Sequence, residues 1–317
     1  MSGVRFAAVV VTHQGGPLLD ACLRSLRAQT LPPDELIVVV SNRTLAVDAP
    51  ALQLGENVGY ARAANAGAAA TTGEVLLLND DTRLAPDCLS TLAAAWTGPA
   101  VYQPRIRLAD GSGRLDNSGL GFLPDGSVWA RGRNGPDRGY PEAPGSFSGA
   151  AAVVARELWS AVGGFDERFG SFGEDVDLAL RLHRRGVRFV SVPDAIVEHH
   201  LGASWGRVSA EKIRLIERNR VRAAARSMPW TTLAALPATT AARYALLAAL
   251  GARGRGPGAD VPAAARLAAL RGIAEGVADL PRWLADRRQD APTWTRGELA
   301  MLGVLWRGRA RWEDLAR

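Results

Sequence analysis

The chain has 317 residues, 47% of them hydrophobic and 22% charged, an ordinary globular composition with room for one large or two smaller domains. Its two cysteines, Cys22 and Cys88, are too far apart for a metal knuckle or a redox pair and read as small buried core residues in a reducing compartment. The net charge of +6 is uneven: residues 1–204 carry 18 Arg against 22 Asp plus Glu, and residues 205–317 carry 20 Arg plus Lys against 10 Asp plus Glu. A basic second part points to an anionic partner, membrane lipid or nucleic acid.

In chain order, Val4 to Val11 runs straight into a strand pattern with no cleavage-type site, so no signal peptide is expected. Arg5 to Thr12 reads as a strand, Pro17 to Gln29 as an amphipathic helix, and Glu35 to Val40 as a second strand. Gly59 to Ala70 is a small-residue helix, Val75 to Leu78 a fully buried strand, and Pro86 to Trp96 a helix with Pro in its first turn. This βαβα alternation predicts a doubly wound, mostly parallel sheet. Residues 108–146 are dominated by Gly, Pro, Asp and Arg, with Trp129 isolated among them, and read as a long loop with a short hairpin. Ser148 to Ala155 resumes a strand, Glu157 to Val162 is a short helix ended by Gly163-Gly164, and Glu174 to Arg185 is a helix with Gly186 past its end. Phe189 to Val192 and Ala195 to Val197 read as short strands.

From Trp205 onward the pattern is helical only, over about 209–227, 231–250, 262–289 and 296–316, with a Gly-rich break at 251–258. Six of the nine tryptophans fall here. The 231–250 stretch is apolar but contains Pro237 and Arg243, so it is not a clean span of about 20 apolar residues and is not read as a transmembrane helix. Two readings stand: a helix lying in the membrane interface, or a plain helical domain packed on the sheet.

Two clusters carry chemistry. The buried run Val75 to Leu78 ends in Asn79-Asp80-Asp81-Thr82. Adjacent carboxylates repel, a divalent cation with a preference for oxygen ligands removes that repulsion, and ligands of open α/β sheets sit beyond the carboxyl ends of strands. The competing reading is an Asx-turn. In the second cluster, Glu174, Asp175 and Asp177 fall in the first turn of a helix. There they stabilise the helix dipole, and their crowding predicts a raised pKa suited to a general base. Downstream, Glu198-His199-His200 follows a short apolar strand. Adjacent strand residues point opposite ways, so at most one histidine faces the site.

These pieces, in this order, resemble the family 2 glycosyltransferases of the GT-A fold, and among them the rhamnosyltransferase-like bacterial branch. The matching segments are VVVTHQ, LRSLRAQTLPPDELIVVVSN, NVGYARAANAG, LLLNDDT, FSGAAAVVARELWSAVGGFDERF, GEDVDLALRLHRRGVRFVSVPDAIVEHHLGAS and IRLIERNR. The resemblance implies a GT-A catalytic domain over 1–204 and a helical, membrane-associated or merely packed region over 205–317. It implies that Thr12, His13 and Gln14 line the nucleobase pocket and that Asn57, Gly59 and Asn65 lie beside the nucleotide. It further implies that Asn79, Asp80 and Asp81 form the metal motif with Asp81 as its main acid. Gly149 would underlie the donor sugar, Asp175 of the Glu174-Asp175 pair would be the catalytic base, and His199 would meet the metal or diphosphate. Ser41 stands where the family usually has Asp, and Asn79 where the metal motif often begins with Asp.

The resulting expectation is an inverting glycosyltransferase using Mg²⁺ or Mn²⁺. It would move a sugar, rhamnose among the candidates, from a nucleotide-diphosphate donor to a hydroxyl of a glycan or polyprenyl-linked acceptor in cell-wall or surface polysaccharide synthesis. It would act in the cytoplasm, with peripheral contact to the inner membrane face and with oligomerisation left open. No nucleophile arrangement for covalent catalysis is evident. One rival is a nucleotidyltransferase of related fold, which wants a basic phosphate loop after the first strand, yet Thr12-His13-Gln14-Gly15-Gly16 has no adjacent Lys or Arg. The other is a nonenzymatic nucleic-acid-binding module using Arg and aromatics around Trp306 to Trp312. The acidic first part argues against it, and no nucleic-acid partner is expected.

Overall fold

The structure, a computed structural model, describes residues 3–42, 44–140, 142–200, 209–253, 262–311 and 314. The chain opens with β1 (Phe6–Thr12), α1 (Pro17–Arg27), β2 (Glu35–Val40), β3 (Ala51–Gln53), α2 (Tyr60–Ala69), β4 (Glu74–Asn79), β5 (Thr82–Leu84) and α3 (Cys88–Ala95). It continues through β6 (Val101–Leu108), β7 (Leu115–Asn117), β8 (Leu120–Phe122), β9 (Val128–Ala130), β10 (Ala151–Val154), α4 (Arg156–Val162), α5 (Glu174–Arg184) and β11 (Phe189–His199). The helices α6 (Ala210–Ser227), α7 (Trp230–Gly251), α8 (Ala263–Ala278), α9 (Leu280–Asp290) and α10 (Glu298–Arg307) follow.

The main sheet has the order β3-β2-β1-β4-β10-β6-β11-β5, with β7 on the side of β6. β3, β2, β1 and β4 are mutually parallel, β10 runs against both its neighbours, and β11 is parallel to β6. All seven residues of β1 are buried, which is why it reads as a continuous apolar run rather than an alternation. Its burial against α1 on one face and α2 on the other contributes about 1.5–3 kcal/mol per large side chain. Helix α2 can lie this close because it is built of alanine and Gly67, whose added Cβ would stand 2.4 Å from Val9 Cγ1. Cys22 and Cys88 are free and buried in the α1 and α3 face of the core.

Three stretches differ from the sequence pattern. Val101–Leu108 is a strand in the middle of the sheet although it contains Pro104. Its ladder with β10 stops at Tyr102 and that with β7 begins at Ile106, so the proline falls between them. The two short strands expected over 189–197 are one, β11, with a bulge between Val192 and Ile196 that accommodates Pro193. The helix expected over 262–289 is two, with Pro281 in the first turn of α9.

The helical region shares a core with the sheet-bearing part of the chain. Phe122, Phe169, Val176 and Leu180 pack with Val221, Met228, Trp283, Met301 and Val304. Much of its positive charge is spent inward. Arg226 bridges Asp166 and Asp290, Arg222 reaches Asp279, and Arg243 joins Asp125 to Glu217. Arg184, with its side chain fully buried, donates to Ser227 O at 2.7 Å and Glu298 Oε1 at 2.9 Å beneath the Trp294 ring. Residues 120–132 are ordered by the far end of the chain: Phe122 N donates to Gly308 O at 2.9 Å and Trp129 Nε1 to Asp314 O at 2.7 Å. Trp129 therefore belongs to a real hairpin, β8 with β9. The 231–250 stretch is helical as expected, and α7 runs through Pro237 and Arg243 without a break. The helix runs 22 residues, long and apolar enough to cross a membrane by length and composition, with its apolar window entirely unburied. The position 204/205 expected to divide the chain, together with Trp205 and Trp312, lies outside the described residues.

Helices α6 and α8 meet at backbone distance. A Cβ on Gly272 would stand 2.2 Å from Arg214 O, an atom that cannot move aside without breaking α6. Gly272→Ala should therefore lower stability by about 1–3 kcal/mol through overpacking, despite alanine's better helix propensity. A denaturation midpoint equal to or above that of the parent protein would show that α8 does not pack on α6 this way.

Candidate active site

The carboxyl ends of β1, β2 and β4 stand side by side, because Val11 is in register with Asn79 and Thr12 with Val40. This brings Thr12, Ser41 and the Asn79-Asp80-Asp81 turn together. Thr12 Oγ1 donates to Asp80 Oδ2 and accepts from Gly15 N at 2.9 Å, while Ser41 Oγ donates to Thr12 O at 3.3 Å. Burial, with the adjacent Asp81 charge adding to it, pushes the Asp80 carboxyl up to about 6 against the pull of the Thr12 hydrogen bond.

Asp81 is buried and faces His199 at the end of β11, which β5 aligns by pairing Thr82 with His199. His199 Nε2 is 3.2 Å from Asp81 Oδ1, Nδ1 is 2.7 Å from Asp116 Oδ2, and His200 N donates to Asp81 O at 2.9 Å. Burial disfavours the imidazolium, but Asp116 and Asp81 outweigh it and raise His199 to about 9. His200 is exposed, as strand alternation requires. Asp116, on β7, is a site residue that the sequence left inside a loop.

The second cluster lies near the first, with Tyr60 under the charges of both. Gly149 N donates to Asp175 Oδ2 at 3.1 Å, Val176 N donates to Asp175 Oδ1 at 2.8 Å, and Tyr60 Oη donates to Gly149 O at 2.8 Å. Burial raises the Asp175 carboxyl, with these two N–H groups pulling it back; burial and then the Asp175 charge raise Glu174 well above the usual range. Both carboxyls are thus pushed upward by burial, and of the two Asp175 is the one whose charge is supported by N–H donors. Tyr60 is held neutral, its phenol raised first by burial and then by Glu174 and Asp175. Asp177, the third acid, is fully buried and clamped to Arg181 Nε at 2.7 Å, so its role is to anchor α5.

The loop before α5 is strained, with Gly170, Phe172 and Gly173 at φ 71°, 68° and 93°. Asn219, fully buried on α6, holds it by donating to Phe169 O at 3.0 Å, Ser171 O at 3.1 Å and Phe172 O at 2.6 Å. Gly59 caps α2 at φ 80° with the Gly170 backbone pressed on it, where a Cβ would stand 2.9 Å away. Of the other expected donor contacts, His13 is half-buried and Gln14 and Asn57 are exposed. Asn57 Oδ1 accepts from Gly59 N at 3.2 Å. Asn65 does not join the cluster through its side chain. Its amide pins the Phe165 backbone, with Nδ2 to Phe165 O at 2.9 Å and Phe165 N to Oδ1 at 3.0 Å.

Asp81 Oδ1, Asp116 Oδ1 and Glu174 Oε2 are buried without a hydrogen-bond partner, the 3.2 Å approach of His199 being too far off line. Among the described residues no three His, Cys, Asp or Glu side chains converge into a metal cage. A cation here would take much of its coordination from ligand oxygens, the usual situation for Mg²⁺ on phosphates.

Residues 74–218 match the family profile described as Glycosyl transferase family group 2. The chain is 31% identical over 242 residues to the N-acetylglucosaminyl-diphospho-decaprenol L-rhamnosyltransferase of Mycobacterium tuberculosis, covering 65% of this chain and 79% of that one. It is 29% identical to the O-antigen biosynthesis protein RfbC of Myxococcus xanthus, over 64% of this chain and 18% of that one. Among solved structures it resembles GalNAc-T7 with UDP, GalNAc and Mn²⁺, with a TM-score of 0.56 and 15% identity over 70% of this chain and 48% of that one. It also resembles S. aureus TarS 1–349 in complex with UDP-GlcNAc, with a TM-score of 0.52 and 15% identity over 90% and 92% of the two chains. With acids gathered at the strand ends of a GT-A sheet and a relative this similar over most of its length, the chain belongs to the family 2 glycosyltransferases.

Proposed function

We propose that this glycosyltransferase moves a sugar, rhamnose being the leading candidate, from a nucleotide-diphosphate donor to a hydroxyl of a polyprenyl-diphosphate-linked acceptor, with inversion. The observation that carries the mechanism is Asp175, whose carboxylate accepts hydrogen bonds from Gly149 N and Val176 N and whose pKa burial raises. Asp175 takes the proton of the acceptor hydroxyl, whose oxygen bonds to the anomeric carbon as the nucleoside diphosphate leaves from the opposite face. Such proton transfer is typically worth about 10²–10⁴ in rate. The sugar and acceptor are supported by the printed name of the mycobacterial relative.

The orphaned oxygen of Asp81 and the raised Asp80 fit a divalent ion, Mg²⁺ or Mn²⁺, held by Asp81 with Asp80 beside it. When bound, such an ion supplies positive charge to the leaving diphosphate. His199 carries a proton between Asp116 and Asp81, which suits contact with a diphosphate; ligation would need a neutral imidazole.

The reaction is proposed to run at the cytoplasmic membrane face. Leu267, Leu270 and Val277 are 69%, 65% and 50% exposed along one face of α8, and α7 is long, apolar and largely unburied. Arg266 and Arg271 flank them, a combination suited to an anionic bilayer. The inward pairing of the other arginines argues against a nucleic-acid surface.

Asp175→Asn keeps the shape of the site and should lower kcat about 10²–10⁴-fold with donor affinity nearly unchanged, measured by turnover and calorimetry. Because the base must be ionised and its pKa is raised, the parent enzyme should gain activity with rising pH above the ordinary carboxylate range, and the variant should lose that limb. Folded Asp175→Asn protein with parental turnover would remove the assignment. Donor binding should fall on EDTA treatment and return with Mg²⁺ or Mn²⁺, whereas Asp81→Asn should bind poorly with or without the ion; equal binding in EDTA would make the turn a purely structural feature. Flotation with anionic vesicles should be lost at high salt and in Leu267→Glu/Leu270→Glu, each buried leucine being worth about 1.5–3 kcal/mol. Parental flotation of that double variant would move the contact elsewhere.

A further inference from the structure

The cleft gathers Asp80, Asp81, Asp116, Glu174 and Asp175, an environment that repels a ligand carrying phosphates. Two basic side chains at its rim lack adequate counter-charges. Lys212, the chain's one lysine, sits in the first turn of α6 and is half-buried. Its Nζ lies 5.3 Å from the centre of the Phe172 ring, and its ammonium has no hydrogen bond or ion pair among the described residues. Arg133 approaches Asp116 Oδ1 only to 3.7 Å, beyond hydrogen-bond distance. Lys212 feels the charges of both Arg133 and Asp116, so the two cations are near neighbours.

Their tethers fix where they act. Phe172, at φ 68°, lies in the loop that leads into α5, so Lys212 stands against that loop. Arg133 borders Asp116, which holds His199, which faces Asp81. Together they flank Asp116 and its contact with His199. Two like charges partly withdrawn from water, one with no acid partner and the other with a distant one, are costly unless an anion joins them. An ion of two adjacent phosphate groups fits both, with the guanidinium able to engage one phosphate through two N–H groups and the ammonium acting as a point charge on the other.

We propose that Lys212 and Arg133 form a diphosphate-binding clamp at the mouth of the active site. This rests on the glycosyltransferase reading above and extends it, because the chemistry it recognises is the diphosphate rather than the sugar or the base. Two sources share that chemistry: the nucleoside diphosphate of the donor and the diphosphate of a lipid-linked acceptor.

The test is calorimetric binding to the full chain in Mg²⁺, with inorganic pyrophosphate, UDP, UMP and farnesyl diphosphate as probes. Lys212→Gln and Arg133→Gln should each weaken pyrophosphate binding tenfold or more, and Lys212→Arg should retain it to within about threefold, since charge is preserved. Circular dichroism and melting of each variant establish that it is folded. Loss confined to UDP, with UMP unaffected, assigns the clamp to the donor; loss confined to farnesyl diphosphate assigns it to the acceptor. Pyrophosphate binding that is absent in the parent protein, or equal in the parent and both folded Gln variants, overturns the clamp. Because the readout is binding and not turnover, that result leaves the assignment of Asp175 standing, and failure of Asp175 as base leaves the clamp measurable.

Discussion

Repulsion among carboxylates at the end of a buried parallel sheet is the constraint on which this molecule turns. β1 and β4 are apolar in their middles and pack in register, so the polar residues at and after their carboxyl ends are delivered to one line at the sheet's edge. Asp80 and Asp81 lie there with Asp116, while Glu174 and Asp175 approach from α5. The structure answers the crowding with local counterweights: a hydroxyl from Thr12, burial that disfavours the charge on Glu174, backbone N–H groups on Asp175, and an imidazolium between Asp81 and Asp116. What these leave unanswered is three buried carboxylate oxygens without a hydrogen-bond partner, on Asp81, Asp116 and Glu174.

The helical region serves this site from behind. Asn219 uses its amide to hold three carbonyls of a loop whose backbone would otherwise relax, and that loop aims the first turn of α5. Arg222 and Arg226 tie the same helix to α9 and to Asp166. The shared core of Phe169, Val176 and Leu180 with Val221 and Trp283 means that the base and the C-terminal helices are placed by one packing event. Side chains in a close-packed core have little freedom to shift independently.

The same packing changes the meaning of the charge. Read as a sum, the second part of the chain is strongly basic. Read in space, Arg220, Arg226, Arg243 and Arg287 are buried or half-buried and paired, and exposed apolar side chains stand on α7, α8 and α10. A net charge states how many cations a segment has, and their orientation decides how many an outside partner meets.

Local pattern determined the elements with strong period or strong punctuation. The βαβ opening, the Asn79-Asp80-Asp81 turn, the acidic start of α5 and the division of labour between His199 and His200 follow from alternation, helix signals and like-charge repulsion, all of which act within a few residues. The family resemblance, carried by those same segments, pointed to Gly149 beneath the donor sugar and to Asp175 as the base, and the hydrogen bond between them came only with the fold. Tertiary structure alone decided the rest. Asp116 sits in a Gly- and Asp-rich stretch with no period, and it joins His199 only because β6 carries β7 on one side and β11 on the other. Tyr60 looks like an ordinary first-turn residue until Gly149 is brought to its hydroxyl. Residues 120–132 read as loop because the groups that order them, at Gly308 and Asp314, lie far along the chain. Asn65 carries a motif residue's identity but spends its amide on Phe165. Hydrogen bonds across such separations leave no local signal, since their cost in chain entropy is met only when the whole core forms.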